Sequence, residues 1–351
     1  MAQGAVMESS FVLREMQPSD GPALKRLMEH DPVASGMSMT TRFLVDPFQA
    51  WRTLKPGFVG VVAEAPDTSD LAGAATVSFD EMQFENQVLP SAFLENLKVD
   101  HAYRGRGLGT QLAQWRIDTV RARIGDGGVI LTGTTTDNTA SIATMKKWAA
   151  QFDSSLMTVP RPARTRPPRL PAGVTVRPAE PRDFGEIAEK SNRFHAHYNL
   201  YPPLSPEKLG NKLNEVLHYR VAADSSGSLR AGALLSVRGQ LMVDTFTNIP
   251  LPLRLANRVL HVLPRDGVLR FMEVAFFWFD EPAVGRCLWD AIRWEFRQQV
   301  NGIGAVFDVR GPLKDVLQVR PWHMPKIRLT TAVRGPVPLN PDRLLCAAPR
   351  G

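Results

Sequence analysis

The chain has 351 residues, 44 % of them apolar, and its 42 basic and 35 acidic side chains leave a net charge of +7. That length suits two domains of ordinary size, and the apolar share is enough to bury a core in each. The charge is mild and spread along the chain, so it suits an anionic ligand without calling for nucleic acid. The two cysteines, Cys287 and Cys346, exclude a disulfide scaffold and a cysteine-rich metal site and fit a reducing cytoplasm. The opening MAQGAVMESS lacks a basic region followed by an apolar core, so no signal peptide is expected. No apolar run approaches the roughly 18 residues of a membrane span. The expected location is cytoplasmic.

In chain order, Phe11 to Met16 reads as a strand, and Pro18-Ser19-Asp20 caps a helix with Leu24, Leu27 and Met28 on one side. Residues 31 to 50 carry a weak helical pattern. Gly57–Ala65 and Leu71–Phe79 read as strands around the turn PDTSD, and Ala92–Val99 as another. A helix follows to about Arg123, then a strand over Val129–Thr134. Asp137-Asn138 opens a further helix, expected to reach about Phe152, with Ile142, Met145 and Trp148 on one side. Residues 158–173 are rich in Pro and Arg and form the expected linker.

The chain then begins again. Arg14-x-x-x-Pro18-x-Asp20 recurs as Arg177-x-x-x-Pro181-x-Asp183, and Asp100 with Gly105-Arg106-Gly107-Leu108 recurs as Asp280 with Gly285-Arg286-Cys287-Leu288. Two matches at one domain's spacing indicate a duplicated domain. The expected organisation is a first domain over 1–157, the linker 158–173, a degenerate second domain over 174–333 and an irregular tail over 334–351.

The stretch between Phe93 and Gly109 carries the chemistry. A strand ends at Val99, then Arg104-Gly105-Arg106-Gly107-Leu108-Gly109 leads straight into a helix at Thr110. Three glycines in five residues let backbone N–H groups turn inward, and the helix N-terminus adds its positive dipole end. Such a cradle suits a phosphate or pyrophosphate. It is neither the Walker loop, which needs a Lys-Ser or Lys-Thr, nor Gly-x-Gly-x-x-Gly.

An Arg-x-x-Gly-x-Gly loop between a strand ending Leu-x-Val and a helix resembles the pyrophosphate loop of the GNAT superfamily of N-acetyltransferases. The resemblance covers residues 11–155 well and 174–330 in outline. It implies an α/β (α+β) fold of two GNAT-like domains, each a mixed, mostly antiparallel sheet flanked by helices. It further implies acetyl-CoA as co-substrate, no metal, and transfer of an acetyl group to a primary amine by direct attack. In that family the strands on either side of the loop splay, and the pantetheine arm lies between them.

Carried over residue by residue, Arg104, Gly105, Arg106, Gly107, Leu108, Gly109 and Thr110 would hold the diphosphate. The backbone of Leu97, Lys98 and Val99 would pair with the pantetheine arm. Asn138 is either a contact to that arm or a plain N-cap, Ser141 either a small residue beside it or packing, and Arg106 either a phosphate ligand or solvated. Glu95, expected on one strand face with Leu97 and Val99, is the candidate base; its other reading is a strand glutamate paired with a basic residue. The helix after Asn138 often carries a tyrosine acid in the family. Here that position is Met145, which has no proton to give.

The second copy lacks the cradle. Val284, Cys287 and Trp289 replace Arg104, Gly107 and Gly109, so the second domain is expected to be non-catalytic. Phe194, His197, Tyr198 and Tyr201 are candidates for an aromatic acceptor pocket between the domains. The expected acceptor is a small-molecule amine rather than a protein, with no membrane or nucleic-acid partner, and a homodimer stays open. The competing reading is a CoA-binding sensor or scaffold without turnover.

Overall fold

Both halves of the chain open on the same ion pair. Arg14 donates to both carboxylate oxygens of Asp20 at 2.8 Å each, and Arg177 grips Asp183 at 2.6 and 2.9 Å. Each carboxylate also accepts a backbone N–H three residues upstream, from Gln17 or Glu180, at 2.7 Å. The repeated motif is therefore a device that ties a first strand to the start of a first helix.

The structure is a computed structural model and describes residues 11–29, 38–66, 68, 70–249, 251, 255, 257, 264, 266–320, 323 and 325–346. The first half runs β1 (Leu13–Glu15), α1 (Gly21–Glu29), β2 (Ser38–Phe43), α2 (Pro47–Leu54), β3 (Val59–Glu64), β4 (Leu71–Phe84), β5 (Gln87–Val99), α3 (Leu108–Ile124), β6 (Val129–Thr135), α4 (Thr139–Met145), β7 (Gln151–Asp153), β8 (Leu156–Thr158) and β9 (Arg161–Pro162). The second runs β10 (Thr175–Pro178), α5 (Phe184–Phe194), β11 (Tyr198–Asn199), α6 (Pro206–Lys212), β12 (Leu217–Ala223), β13 (Leu229–Ser236), β14 (Met242–Asn248), β15 (Val268–Leu269), β16 (Phe271–Phe279), α7 (Pro282–Glu295), β17 (Gly302–Asp308), α8 (Leu313–Val316), β18 (Ile327–Arg334) and β19 (Leu344–Leu345).

Among the described residues, 14 of these strands form one sheet: twelve follow the path β1-β3-β4-β5-β6-β18-β8-β17-β16-β13-β12-β10, and β7 and β9 pair off it with β18 and β17. Pairing is antiparallel except at β5–β6 and β16–β17, the equivalent places in the two halves. On one face of the first half α3 buries Leu112, Ile117 and Val120 against Val61, Val77 and Leu94; on the other, α1 and α2 bury Leu24, Leu27 and Trp51 against Val62 and Ala74. The second half repeats this with α7 on one face and α5 on the other.

The halves exchange strands. β18, near the C-terminal end, pairs antiparallel with β6 of the first half over Leu329–Arg334, while β8 leaves the first half to pair with β17. The Pro/Arg-rich stretch is anchored at its start, where β9 pairs with β17 at Ile303. β14 stands apart from that sheet and forms a separate one with β2 and β15.

Several expected elements change. Helix α4 stops at Met145 rather than near Phe152, because residues 151–153 are taken up as β7 against β18. The weak pattern over 31–50 resolves into β2 and the start of α2; residues 30–37 lie outside the described ones. The tail is not wholly irregular: β19 pairs in parallel with β11, and Arg343 donates to the Asn199 side chain and the Ala196 carbonyl.

The paired Arg177–Asp183 contact yields a prediction. The Arg177 guanidinium, against the opposing effect of burial, holds the Asp183 carboxyl below its ordinary range. Its stabilising contribution is therefore full above the unfolded value of about 3.9 and is lost as pH falls through the lower folded value. Asp183→Asn is expected to cost about 1–3 kcal/mol at pH 7, in urea denaturation, and progressively less as pH falls below 4.

Candidate active site

The cradle forms as its residues dictate. Gly105 and Gly107 have φ of +76° and +80°, a region open to glycine at no steric cost, and Gly107 is the N-cap of α3. A Cβ built at either would meet nothing within 4 Å, so both face open space. Gly109 is already helical, and its Cβ would sit an ordinary 3.7 Å from Val99 Cγ2. The Leu108 side chain is in the core at 1 % exposure, which leaves only its backbone for a ligand. Arg104 Nε donates to the Val99 carbonyl at 3.2 Å, and Arg106 lies over the Tyr103 ring at 5.5 Å. The loop is open, cationic and headed by helical N–H groups, and this fits the diphosphate of a CoA thioester.

Beside the cradle the sheet splits. The parallel pairing of β5 with β6 covers Ser91–Phe93 and ends there, apart from a 2.6 Å bond from Thr132 Oγ1 to the Leu94 carbonyl. Glu95–Val99 lie beyond the end of that ladder, where β5 and β6 part, and the Val99 carbonyl accepts from Arg104. On its other side β5 carries a bulge opposite Ala75, with Asn96 at φ +52°. Asn96 Nδ2 donates to Thr76 Oγ1 at 3.0 Å, and Arg116, buried on α3, donates to the Glu95 carbonyl at 3.5 Å. Burial pushes the Arg116 guanidinium down to about 10.

The bulge overturns one expectation. Plain alternation puts Glu95 on one face with Leu97 and Val99; the extra residue reverses the pleat between them. Leu97 and Val99 pack toward α3, while Glu95 stands beside its cross-strand partner Thr76 and beside Ser78, on the opposite face. There Glu95 Oε2 is bound by Lys55 Nζ at 2.5 Å and accepts from Ser78 Oγ at 3.0 Å. The Lys98 ammonium points to that same face and donates to the Met28 carbonyl at 3.0 Å.

Asn138 is the N-cap of α4, its Oδ1 accepting from Ser141 N at 3.1 Å, so these two expected residues sit together at one helix start. Lys147, just past α4, reaches back to Thr110 Oγ1 at 2.9 Å and joins the wall after β6 to the cradle. Met145 is buried at 3 % exposure and offers no proton. Lys55, Arg116 and Lys147 were not singled out from the sequence. Each stands far from the glycine loop along the chain or on a helix face chosen by packing, and no spacing marks them.

A cavity of about 380 Å³ lies against the Glu95 side, where Lys55, Ser78 and Phe93 of the first half face α6, Leu234 and Phe276 of the second. It replaces the aromatic pocket expected from Phe194, His197, Tyr198 and Tyr201. Those rings, His197 apart, pack within the second half: Tyr201 stacks on His195 at 4.3 Å and hydrogen-bonds Asn192, and Phe194 stacks on Tyr198. Burial pushes His195 down to about 4, which keeps it neutral. No cluster able to hold a metal occurs among the described residues, and no helix there is long and apolar enough to cross a membrane.

The model of the Acetyltransferase (GNAT) family matches residues 25–149, the stretch that contains cradle, slot and Glu95. Residues 25–149 are a GNAT domain. No curated protein matches the chain. Among solved structures, N-myristoyltransferase of Saccharomyces cerevisiae with bound myristoyl-CoA superposes with a TM-score of 0.65 at 14 % identity, over 95 % of this chain and 86 % of that one. A GCN5-related N-acetyltransferase from Sphaerobacter thermophilus gives 0.54 at 16 %, covering 92 % and 95 %. At these identities the likeness is one of fold, and it extends the GNAT architecture over both halves.

In the second GNAT-like half the same framework is closed. β16 leaves β17 after Val274 and carries the matching bulge, with Phe276 at φ +48° in the place of Asn96. Helix α7 starts at Pro282 with no glycine loop before it, and Trp289 is buried at 1 % exposure. Phe277 and Phe279 pack with Trp289 and Val316.

Gly107→Ala places a side chain at a left-handed φ and is expected to cost about 1–2 kcal/mol. It should also weaken CoA binding at least tenfold by calorimetry. Gly109→Ala, in helical backbone with room for a methyl, is expected to be neutral or stabilising by up to about 1 kcal/mol in thermal unfolding.

Proposed function

We propose that the chain is an acetyl-CoA-dependent N-acetyltransferase in which the first half holds the thioester and a primary amine attacks it directly. The observation that carries this reading is the meeting of cradle, open slot and carboxylate at one end of β5. Arg104–Thr110 would take the diphosphate, and the backbone of Leu97–Val99, beyond the end of the β5–β6 ladder, would pair with the pantetheine arm. A bulge leaves one residue out of the ladder; its N–H, near Asn96, is the group assigned to the thioester carbonyl oxygen.

The amine must lose a proton to attack. Glu95 receives it, directly or through one water, and Lys55 and Ser78 fix the carboxylate for that task. The N–C bond forms as the C–S bond breaks, and the thiolate leaves with the electron pair and takes its proton from water, because Met145 has none. The family resemblance and a cavity of about 380 Å³ support the reading of acetyl as the group and a small-molecule amine as its acceptor.

The buried Met145 favours a second reading, a CoA-binding protein without turnover. Amine-dependent CoA release separates the two. Under the transferase reading Glu95→Gln lowers kcat about 10²-fold or more while calorimetric binding of acetyl-CoA stays within twofold. Binding by the wild type with no release from any amine in a broad panel would establish the second reading.

A further inference from the structure

The cavity between the halves has a charge pattern of its own. Three lysines line it, and two are already matched: Lys55 with Glu95, and Lys208 with Asp80 and Glu81 at 3.3 Å. Lys212, at the end of α6, makes no ion pair or hydrogen bond among the described residues; its ammonium lies 5.7 Å from the centre of the Phe276 ring. Ser236, at the end of β13 and 3 % exposed, also lines the cavity, and its hydroxyl has no partner among the described residues. The rest of the wall is mostly apolar, with Phe58, Phe79 and Phe93 among its members.

Each of these features is costly to leave unanswered. Burial lowers the pKa of Lys212; Asp80 opposes that, and Lys55 and Lys208 add to it. A buried hydroxyl without a partner forfeits its hydrogen bonds to water. One anionic oxygen group answers both. Lys212 is the one lysine of the three with no direct carboxylate partner among the described residues, and the Asp80 carboxylate in the wall repels a dianion.

We propose that this cavity binds the acyl acceptor, and that the acceptor is an apolar amine bearing a carboxylate, which Lys212 and Ser236 receive while the amine faces Glu95. The proposal rests on the acyl-transfer reading above and names its substrate class. The apolar body lies against the phenylalanine rings, where area burial supplies affinity without choosing an orientation. The carboxylate supplies the orientation, because its two partners stand on the second half and Glu95 on the first.

The test uses the full chain, acetyl-CoA, and two amines that differ by one carboxylate, phenylalanine and 2-phenylethylamine. The wild type is expected to release CoA with phenylalanine at a kcat/KM at least tenfold above that with 2-phenylethylamine. Lys212→Met and Ser236→Ala should each lower the phenylalanine value about ten- to hundredfold, chiefly through KM, and lower the 2-phenylethylamine value at least tenfold less. Neither change should lower the melting temperature, since each removes an unmatched polar group. Equal kcat/KM values for the two amines, or a preference that survives Lys212→Met, would overturn the proposal. If no amine releases CoA, the transfer reading fails by itself. Calorimetry then decides the cavity, where phenylalanine binding lost in Lys212→Met upholds the anion site and no binding to either protein refutes it. Binding of decanoyl-CoA that Ser236→Phe abolishes while acetyl-CoA binding persists would assign the space to an acyl chain and refute the proposal.

Discussion

The site depends on one break in pairing: β5 and β6 run parallel only as far as Phe93 and then part. A parallel pair held along its full length would leave no backbone edge for a ligand and no slot. The bulge at Asn96 makes the parting useful. It costs an asparagine in a left-handed conformation, which that residue tolerates better than most, and the Thr76 hydroxyl accepts from its amide. By reversing the pleat it separates two tasks that alternation would have put on one face. Leu97 and Val99 seal the core under α3, and Glu95 is delivered to the side where the cavity opens.

The exchange of β8 and β18 fixes the other wall. Each half lends a strand to the seam, so the halves are joined by ladder hydrogen bonds and not by side chains alone. The far end of the β4–β5 hairpin is held as well. Gln83 pairs with the backbone of Tyr201, and Met82 and Phe84 pack with Leu200, Leu329 and Leu345. Since α6 lies between Tyr201 and β12 in the chain, Lys212 is placed relative to Glu95 by these contacts rather than by a flexible tether. A cavity whose two ends belong to different halves needs this rigidity if it is to align an amine with a thioester.

What the residues disclosed by themselves was local. The glycine cradle, the helix behind it, the paired Arg–Asp motifs and the N-cap at Asn138 each follow from backbone chemistry within a few positions, and all are present in the fold. The misses share a cause. Strands β4 and β5 read as two shorter strands because their turn, Glu85-Asn86, uses two positive φ values without the usual glycine. The face of Glu95 was misread because a bulge has no sequence signature here. The strand exchange joins β6 to β18, some two hundred positions apart, and nothing local announces such a pairing. Lys212 and Ser236 lie on elements that look ordinary until the two halves are set against each other.

The two halves show what the open site costs. The same bulged strand carries Asn96 in one and Phe276 in the other, and at the next positions Leu97, Lys98 and Val99 face Phe277, Trp278 and Phe279. In the second half Trp278 is buried against Gly232, where a Cβ would come within 2.7 Å of the indole, and its N–H is satisfied by Tyr219 at 2.9 Å. Large rings fill what the first half leaves empty, and each buries on the order of 150–250 Å². The filled half thus carries packing that the first half forgoes around its slot and glycines. Joined through one sheet, it is the packed partner of a half whose site is built from glycines, a bulge and charged side chains.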